Sequence, residues 1–400
     1  MEPIVLDHQH VWRTYVNAGR LRGGVTDPHY PEEWISSVTE AINPNTHHGE
    51  GLSRDLRTGK TLKELIEEDP AGMLGSRRAA QGGGLGVLVK LIDAGERLTI
   101  QVHPNAARAK ALFGSPYGKT ECWYFLDGGC DAAASRPCVY YDFKEGVTRE
   151  RWEELFRAQD IPGMLDCMHR IEVEPGMVVY VQGGNPHAIG EGCYLLEIQE
   201  PTDLTIRVER TTPTGFAVAD EMCHLGLEFS RMFDCFDYRG GETLEEARRS
   251  CVVPPKTAPA SGAVIRTELV GSDRTTCFAM SEYSFSASDG VELPSEDDFR
   301  ALFVVRGGGS IVSKDSGCPI EIHEGDQVFV PASAGGLRPR YGSRIQGGGA
   351  SRAGVTHIGF PCAEANGSEA CNGMVERCKA FGGGAASERM HRCRFDLVKE

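Results

Sequence analysis

The chain has 400 residues, of which 40% are hydrophobic and 25% charged, and a formal net charge of −15. These proportions are those of a globular protein long enough for two or three domains and a large core. The acidic balance argues against nonspecific binding to nucleic acid or to an anionic membrane surface, but it leaves room for a local basic pocket that takes a small anion.

The opening MEPIVLDHQHVW has neither a basic nor an apolar signal region, and no stretch reaches the roughly 18 apolar residues of a membrane span. Among the 14 cysteines there is no C-x-x-C pair, and several, such as Cys193 in GEGCYLLEI, sit in apolar runs. A reduced, cytoplasmic protein is expected. Cys362, Cys371, Cys378 and Cys393 are irregularly spaced and read as free thiols.

Residues 1–60 are polar and weakly periodic, and predict loops with short helices, one of them at 31–42 (PEEWISSVTEAI). Thr61 to Glu64 form a capping box that opens a short helix, which Asp69-Pro70 ends. Gly82 to Gly84 make a joint. LGVLVKLID (85–93) predicts a strand buried on both faces, and LTIQVH (98–103) a second strand. NAARAKALF (105–113) predicts a helix; ECWYFLDG (121–128) and RPCVYYDF (136–143) predict strands. TRERWEELFRAQ (148–159) is an amphipathic helix with Trp152, Leu155 and Phe156 inward. HRIEVE, GMVVYV and CYLLEI follow as short strands between Gly/Pro turns, a spacing typical of sandwiches and small barrels.

A faint repeat relates PGMVVYVQGGNPHAI (175–189) to EGDQVFVPASAGGLR (324–338). The same offset that leads from Gly176 to His187 leads from Gly325 to Gly336. The second copy therefore has the strand pattern without the histidine. RIQGGGASRAGVTHIGF holds a candidate last strand.

The chemistry starts in LTIQVHPNA. Leu98, Ile100 and Val102 alternate with Thr99, Gln101 and His103, so Gln101 and His103 share one strand face, roughly 7 Å apart at the backbone. That face is either a solvated surface or half of a metal site. A catalytic zinc uses His nitrogen and carboxylate oxygen and keeps one position open. Glu121, at the head of the next aromatic strand, and His187, in the turn after GMVVYV, could complete such a set. Spacing alone does not decide between the two.

Four motifs in order decide more: Q-V-H-P (101–104), G-K-T-E-C-W-Y (118–124), H-A-I-G (187–190) and LEIQEPTDLTIRV (196–208). Together with VKLIDAGERLTIQVHP they resemble the zinc-dependent type I mannose-6-phosphate isomerases of the cupin superfamily, over about residues 85–210 and more loosely to 340. The resemblance implies a mainly β fold of two cupin-like (jelly-roll) units. Residues 1–84 would pack on the first as loops and short helices. Residues 85–250 would form the metal-bearing catalytic unit, with a helical insertion near 148–165. Residues 255–360 would form a second unit without metal ligands, and 361–400 a tail. It further implies one Zn2+ per chain on Gln101, His103, Glu121 and His187, with Arg207, Lys119 and Glu197 serving catalysis and Lys119 and Arg207 meeting the substrate. Asp203 would orient the turn before Arg207.

The implied activity is interconversion of mannose 6-phosphate and fructose 6-phosphate through an enediolate. A metal and fixed cations could stabilise the developing oxyanion, and a carboxylate or imidazole could carry the proton. The identity of the base stays open, and Lys119 could instead touch the phosphate.

The sequence departs from the family in two places. Asn105-Ala106 follow Q-V-H-P where the family has acidic residues. PEEWISS stands for a G-E-S-W-like segment, with Ser36 and Ser37 as candidate phosphate contacts. These departures leave the substrate open to another sugar. A non-catalytic sugar-binding protein or an iron oxygenase are the other readings. The expected partner is a phosphosugar, with no nucleic acid or membrane, in a monomer or homodimer.

Overall fold

The computed structural model describes residues 1–43, 49–82, 84–126, 136–240, 243–261, 264–285, 297–313, 317–341 and 353–359. Gly83, His47, His48 and the late cysteines lie outside the described residues, as does the 361–400 tail. Among those described, no helix is long and apolar enough to cross a membrane.

The first half of the chain supplies β1 (Ile4–Leu6), β2 (Gln9–Val11), β3 (Glu32–Ile35), β4 (Leu88–Asp93), β5 (Gln101–Val102), β6 (Glu121–Phe125), β7 (Cys138–Phe143), β8 (Met168–Glu172), β9 (Val178–Val181), β10 (His187–Ile189), β11 (Tyr194–Gln199) and β12 (Ile206–Arg207). The second half supplies β13 (Lys256–Ser261), β14 (Val264–Val270), β15 (Ala279–Phe285), β16 (Arg300–Arg306), β17 (Gly308–Ser313), β18 (Pro319–His323), β19 (Gln327–Val330), β20 (Leu337–Tyr341) and β21 (Ala353–Gly359). The strands form a six-stranded sheet, β2-β3-β4-β11-β6-β9, and a five-stranded sheet, β12-β5-β10-β7-β8. A seven-stranded sheet, β1-β19-β16-β21-β15-β14-β13, and a three-stranded sheet, β18-β17-β20, complete the fold.

Side-chain alternation stacks these sheets in layers. Ile92, Trp123, Phe125 and Leu195 of the six-stranded sheet meet Val139, Tyr141 and Ile189 of the five-stranded one. Its other face, with Leu91, Cys122, Leu196 and Ile198, packs on Met280, Ala301, Phe303 and Phe329 of the seven-stranded sheet. Leu302, Val304 and Val328 then meet Ile311, Ile322 and Leu337 of the three-stranded sheet. The outer face of the five-stranded sheet is covered by Trp152, Leu155 and Phe156, which pack on Ile100 and Val102.

Local chemistry sets the helices as expected. In α1 (Leu62–Glu68) the Thr61 side chain accepts from Glu64 N and Glu64 answers the Thr61 amide, while Leu62 and Ile66 are buried. After α2 (Pro70–Leu74) and α3 (Ser76–Ala80), α4 (Ala106–Phe113) starts at Asn105, whose side chain accepts from Arg108 N. Asn105 thus has a capping role. Thr148 caps α5 (Arg149–Ala158).

The repeat is visible in three dimensions. Gly176 (φ 87°) and Gly325 (φ 89°) both adopt the left-handed conformation that favours glycine. Each precedes a fully buried strand, β9 or β19. His187 begins β10, whereas Gly336 comes just before β20.

The helix expected at 31–42 is a strand instead. Glu32 and Trp34 point to one side of β3 and Glu33 and Ile35 to the other, and all four are buried. Each carboxylate finds a cation, histidine or amide partner, which lets a charged segment serve as an interior strand. The N-terminal segment therefore contributes β2 and β3 to the six-stranded sheet and β1 to the seven-stranded one.

Trp152 is fully buried under the five-stranded sheet. Trp152→Ala is expected to cost about 3–5 kcal/mol in denaturant unfolding. A loss below about 1 kcal/mol would show that α5 is not part of this core.

Candidate functional site

The six- and five-stranded sheets enclose a polar cleft at one end. β10 pairs with β5 in a register that sets His187 opposite Gln101, and β12 places Arg207 opposite Gln101 from the other side. In β6, Glu121, Trp123 and Phe125 face inward, opposite Gln199, Glu197 and Leu195 of β11. The inward face of LTIQVH is buried, not solvated: Thr99, Gln101 and His103 are 4%, 9% and 1% exposed.

His103, Glu121 and His187 converge there, with candidate ligand atoms all within 4.8 Å of one another. The two Nε2 atoms are 3.2 Å apart, and they lie 3.2 and 3.3 Å from the Glu121 carboxylate oxygens. The Gln101 side chain reaches the same point with its amide nitrogen, 3.2 Å from His187 Nε2. The Nδ1 atoms face carbonyl oxygens, His103 that of Leu204 at 3.0 Å and His187 that of Asn185 at 3.0 Å. A carbonyl can only accept, so each Nδ1 carries the proton and each Nε2 turns a lone pair inward. Glu121 Oε1 is buried without a hydrogen-bond partner. Two inward lone pairs and an unsatisfied carboxylate oxygen suit a metal ion, and carbonyl-anchored Nδ1–H groups are how metal-binding imidazoles are oriented. This group fits a metal.

Electrostatics agree. Burial, reinforced by the Lys119 charge, draws His103 down to about 3. Burial likewise lowers His187. Burial opposes charge on Glu121, but Lys119 and the two imidazoles outweigh it and hold the carboxyl well below its ordinary range. Lys119 Nζ lies 2.7 Å from both His103 Nε2 and Glu121 Oε2.

The cleft beside this cluster is lined by Gln101, Lys119, Glu197, Asp203 and Arg207. Arg207 Nη1 donates to the carbonyls of Thr205 (3.3 Å) and Met222 (3.0 Å). Glu197 accepts from Trp123 Nε1 at 3.0 Å and pairs with Lys90 at 3.3 Å. Burial, then repulsion by Glu121, raises its carboxyl. Ser36 is not among the cleft residues. β3 ends at Ile35, and Ser36 takes a positive φ of 49°. Its amide there donates to Gln327 Oε1 of β19 at 3.2 Å.

Among the cleft residues that sequence reasoning missed are Arg13, Tyr15, Glu32 and Lys90. Lys90 carried a signal, the one cation inside the apolar run LGVLVKLID. Glu32 accepts from Tyr15 Oη (2.9 Å) and Trp34 Nε1 (2.8 Å) and pairs with Arg13 Nε (3.0 Å) and Lys90 Nζ (3.7 Å).

Fold and site together define a mainly β protein of stacked sheets with a buried His/Glu/His group that fits a metal at the end of a charged cleft. It resembles the mannose-6-phosphate isomerases. No family model matches the chain. It is 27% identical over 304 residues to the probable mannose-6-phosphate isomerase GmuF of Bacillus subtilis, spanning 74% of this chain and 83% of that protein. The crystal structure of the mannose 6-phosphate isomerase from Bacillus subtilis aligns with a TM-score of 0.65 at 21% identity, covering 90% of this chain and 100% of that one. A zinc-bound mannose 6-phosphate isomerase aligns with a TM-score of 0.65 at 16% identity, with the same coverage.

Burial opposes charge on Glu32, but Arg13 and Lys90 hold its carboxyl far below the ordinary 4.5. The unfolded chain takes up this proton near its ordinary value and the folded chain does not. The stability Glu32 confers is therefore complete at neutral pH and declines as pH falls below about 4.5. Urea unfolding between pH 5 and 3.5 is expected to show a steeper loss for the wild type than for Glu32→Gln, by up to about 1.4 kcal/mol per pH unit. Equal slopes would contradict this.

Proposed function

We propose that this chain is a metal-dependent aldose–ketose isomerase that interconverts mannose 6-phosphate and fructose 6-phosphate, with one zinc ion held by Gln101, His103, Glu121 and His187. The observation that carries the reading is the inward-turned pair of Nε2 lone pairs beside Glu121, at the end of a cleft that also presents Lys119, Arg207 and Glu197. The curated relatives supply the substrate class, and two imidazoles with a carboxylate suit zinc. We assign this work to residues 85–250 and a supporting role to 255–360.

The reaction moves a proton between C1 and C2 of the sugar, where it is barely acidic. A bound zinc supplies Lewis-acid stabilisation of the sugar oxygens as negative charge develops. Arg207, pinned by two carbonyls, and Lys119 add fixed positive charge at the same place without reorganisation. Either cation also suits the phosphate. We assign the proton transfer to Glu197, a carboxylate that lines the cleft. Its raised affinity for a proton suits that task, and Trp123 and Lys90 hold it in place.

Zinc-loaded protein is expected to convert fructose 6-phosphate to mannose 6-phosphate and to lose turnover with a chelator. Arg207→Ala should keep its zinc and lose about 10²–10³ in kcat, while His187→Ala should lose zinc and activity together. A chain that holds one zinc and turns over neither sugar phosphate would overturn the substrate assignment.

A further inference from the structure

Arg13 is an unusual neighbour for the cleft. It is an arginine from the N-terminal segment, only 4% exposed, and it lines the same wall as Lys90, Asp203 and Arg207. Its guanidinium lies over the Trp34 ring, 5.3 Å from the centroid. Every edge of the planar fork has a partner. Nε faces Glu32 Oε1 at 3.0 Å, Nη1 donates to Asn43 Oδ1 at 3.0 Å, and Nη2 reaches Asp203 Oδ2 at 3.4 Å. So satisfied a group has little left to give a ligand. What it does is join two carboxylates that stand in different parts of the fold, Glu32 on β3 and Asp203 in the turn before β12.

These carboxylates lead directly into the cleft. Glu32 holds Lys90 at 3.7 Å, and Lys90 pairs in turn with Glu197 at 3.3 Å. Asp203 belongs to the segment that delivers Arg207, and its negative charge favours the buried Arg207 guanidinium. The result is a chain of alternating charge, Asp203–Arg13–Glu32–Lys90–Glu197, with water largely excluded from it. In such surroundings a missing link leaves a buried carboxylate uncompensated, and its neighbours shift or change protonation.

We propose that Arg13 is a positioning residue of the isomerase site: by tying Asp203 to Glu32 it fixes where Arg207, Lys90 and Glu197 stand in the cleft. Lysine cannot replace it in full, because a single ammonium cannot span both carboxylates as the fork does. The inference rests on the isomerase reading and adds to it a residue that touches no reacting atom.

The test compares wild type, Arg13→Met, Arg13→Lys and Asp203→Asn, all loaded with zinc. Zinc content and thermal unfolding are measured beside kcat, KM and the pH profile for fructose 6-phosphate. Arg13→Met is expected to keep one zinc and lose about 10–100-fold in kcat with KM changed less than about threefold, and its pH profile should move. Arg13→Lys should recover part of the loss. Asp203→Asn, which removes one partner only, should fall between them, and it carries the test if Arg13→Met does not fold. Folded, zinc-loaded Arg13→Lys and Asp203→Asn with kcat within twofold of wild type and an unchanged pH profile would overturn the inference, whatever their stability. A wild type without turnover overturns the isomerase reading and the inference with it. An active wild type with active variants overturns the inference alone.

Discussion

The structure depends on charges that have been taken out of water in pairs. Between the six- and five-stranded sheets lie Glu32, Lys90, Lys119, Glu121 and Glu197, each less than a twentieth exposed. Any of these alone would be costly to bury. Here each faces an opposite charge or a fixed donor: Glu121 with Lys119, Lys90 with Glu32 and Glu197, and Glu197 with the Trp123 indole. The same pairing makes the region chemically capable. Ionised groups held in a dry, rigid setting are already aligned when a substrate arrives, and they act more strongly than in water. Stability and site thus come from one arrangement.

The two-sheet plan is used twice, and the copies differ where it matters. Both turn at a left-handed glycine into a buried strand, but only the first goes on to a histidine. Among the described residues, the three-member His/Glu group is confined to the first copy. The second copy packs its seven-stranded sheet against the back of the sheet that carries Glu121, Glu197 and Lys90. Because β-strand side chains alternate, a firm seat behind Cys122, Leu196 and Leu91 fixes the direction of the residues between them.

Much of this was legible in the sequence. Period-two patterning, the Thr61–Glu64 capping box and the amphipathic run 148–159 located strands and helices, and the order of four motifs singled out His103, Glu121 and His187, which the structure brings together into a group that fits a metal. Two of the misses share one physical cause, partners that are remote in the chain. PEEWISS reads as helix or loop because two consecutive glutamates are poor material for an interior strand. Only their partners, Arg13, Lys90, His8 and Gln327, make the strand reasonable. Arg13 is nineteen positions from Glu32 and far further from Asp203, so local pattern holds no trace of the link. Ser36 stands outside the cleft lining, at a positive φ that follows Ile35 and that alternation cannot foresee.

The pairing of β1 with β19 ties residues 4–6 to residues 327–329. Two segments far apart in the chain thus have to find each other before this edge of the sheet is complete. Contacts of such sequence separation slow folding, since a very long loop must close before they form. Until then β19 presents an open edge to solvent, the kind of surface on which strands of other molecules add. The seven-stranded sheet is thus closed along this edge by a strand from the N-terminal segment, and it is not finished until that strand has been laid down.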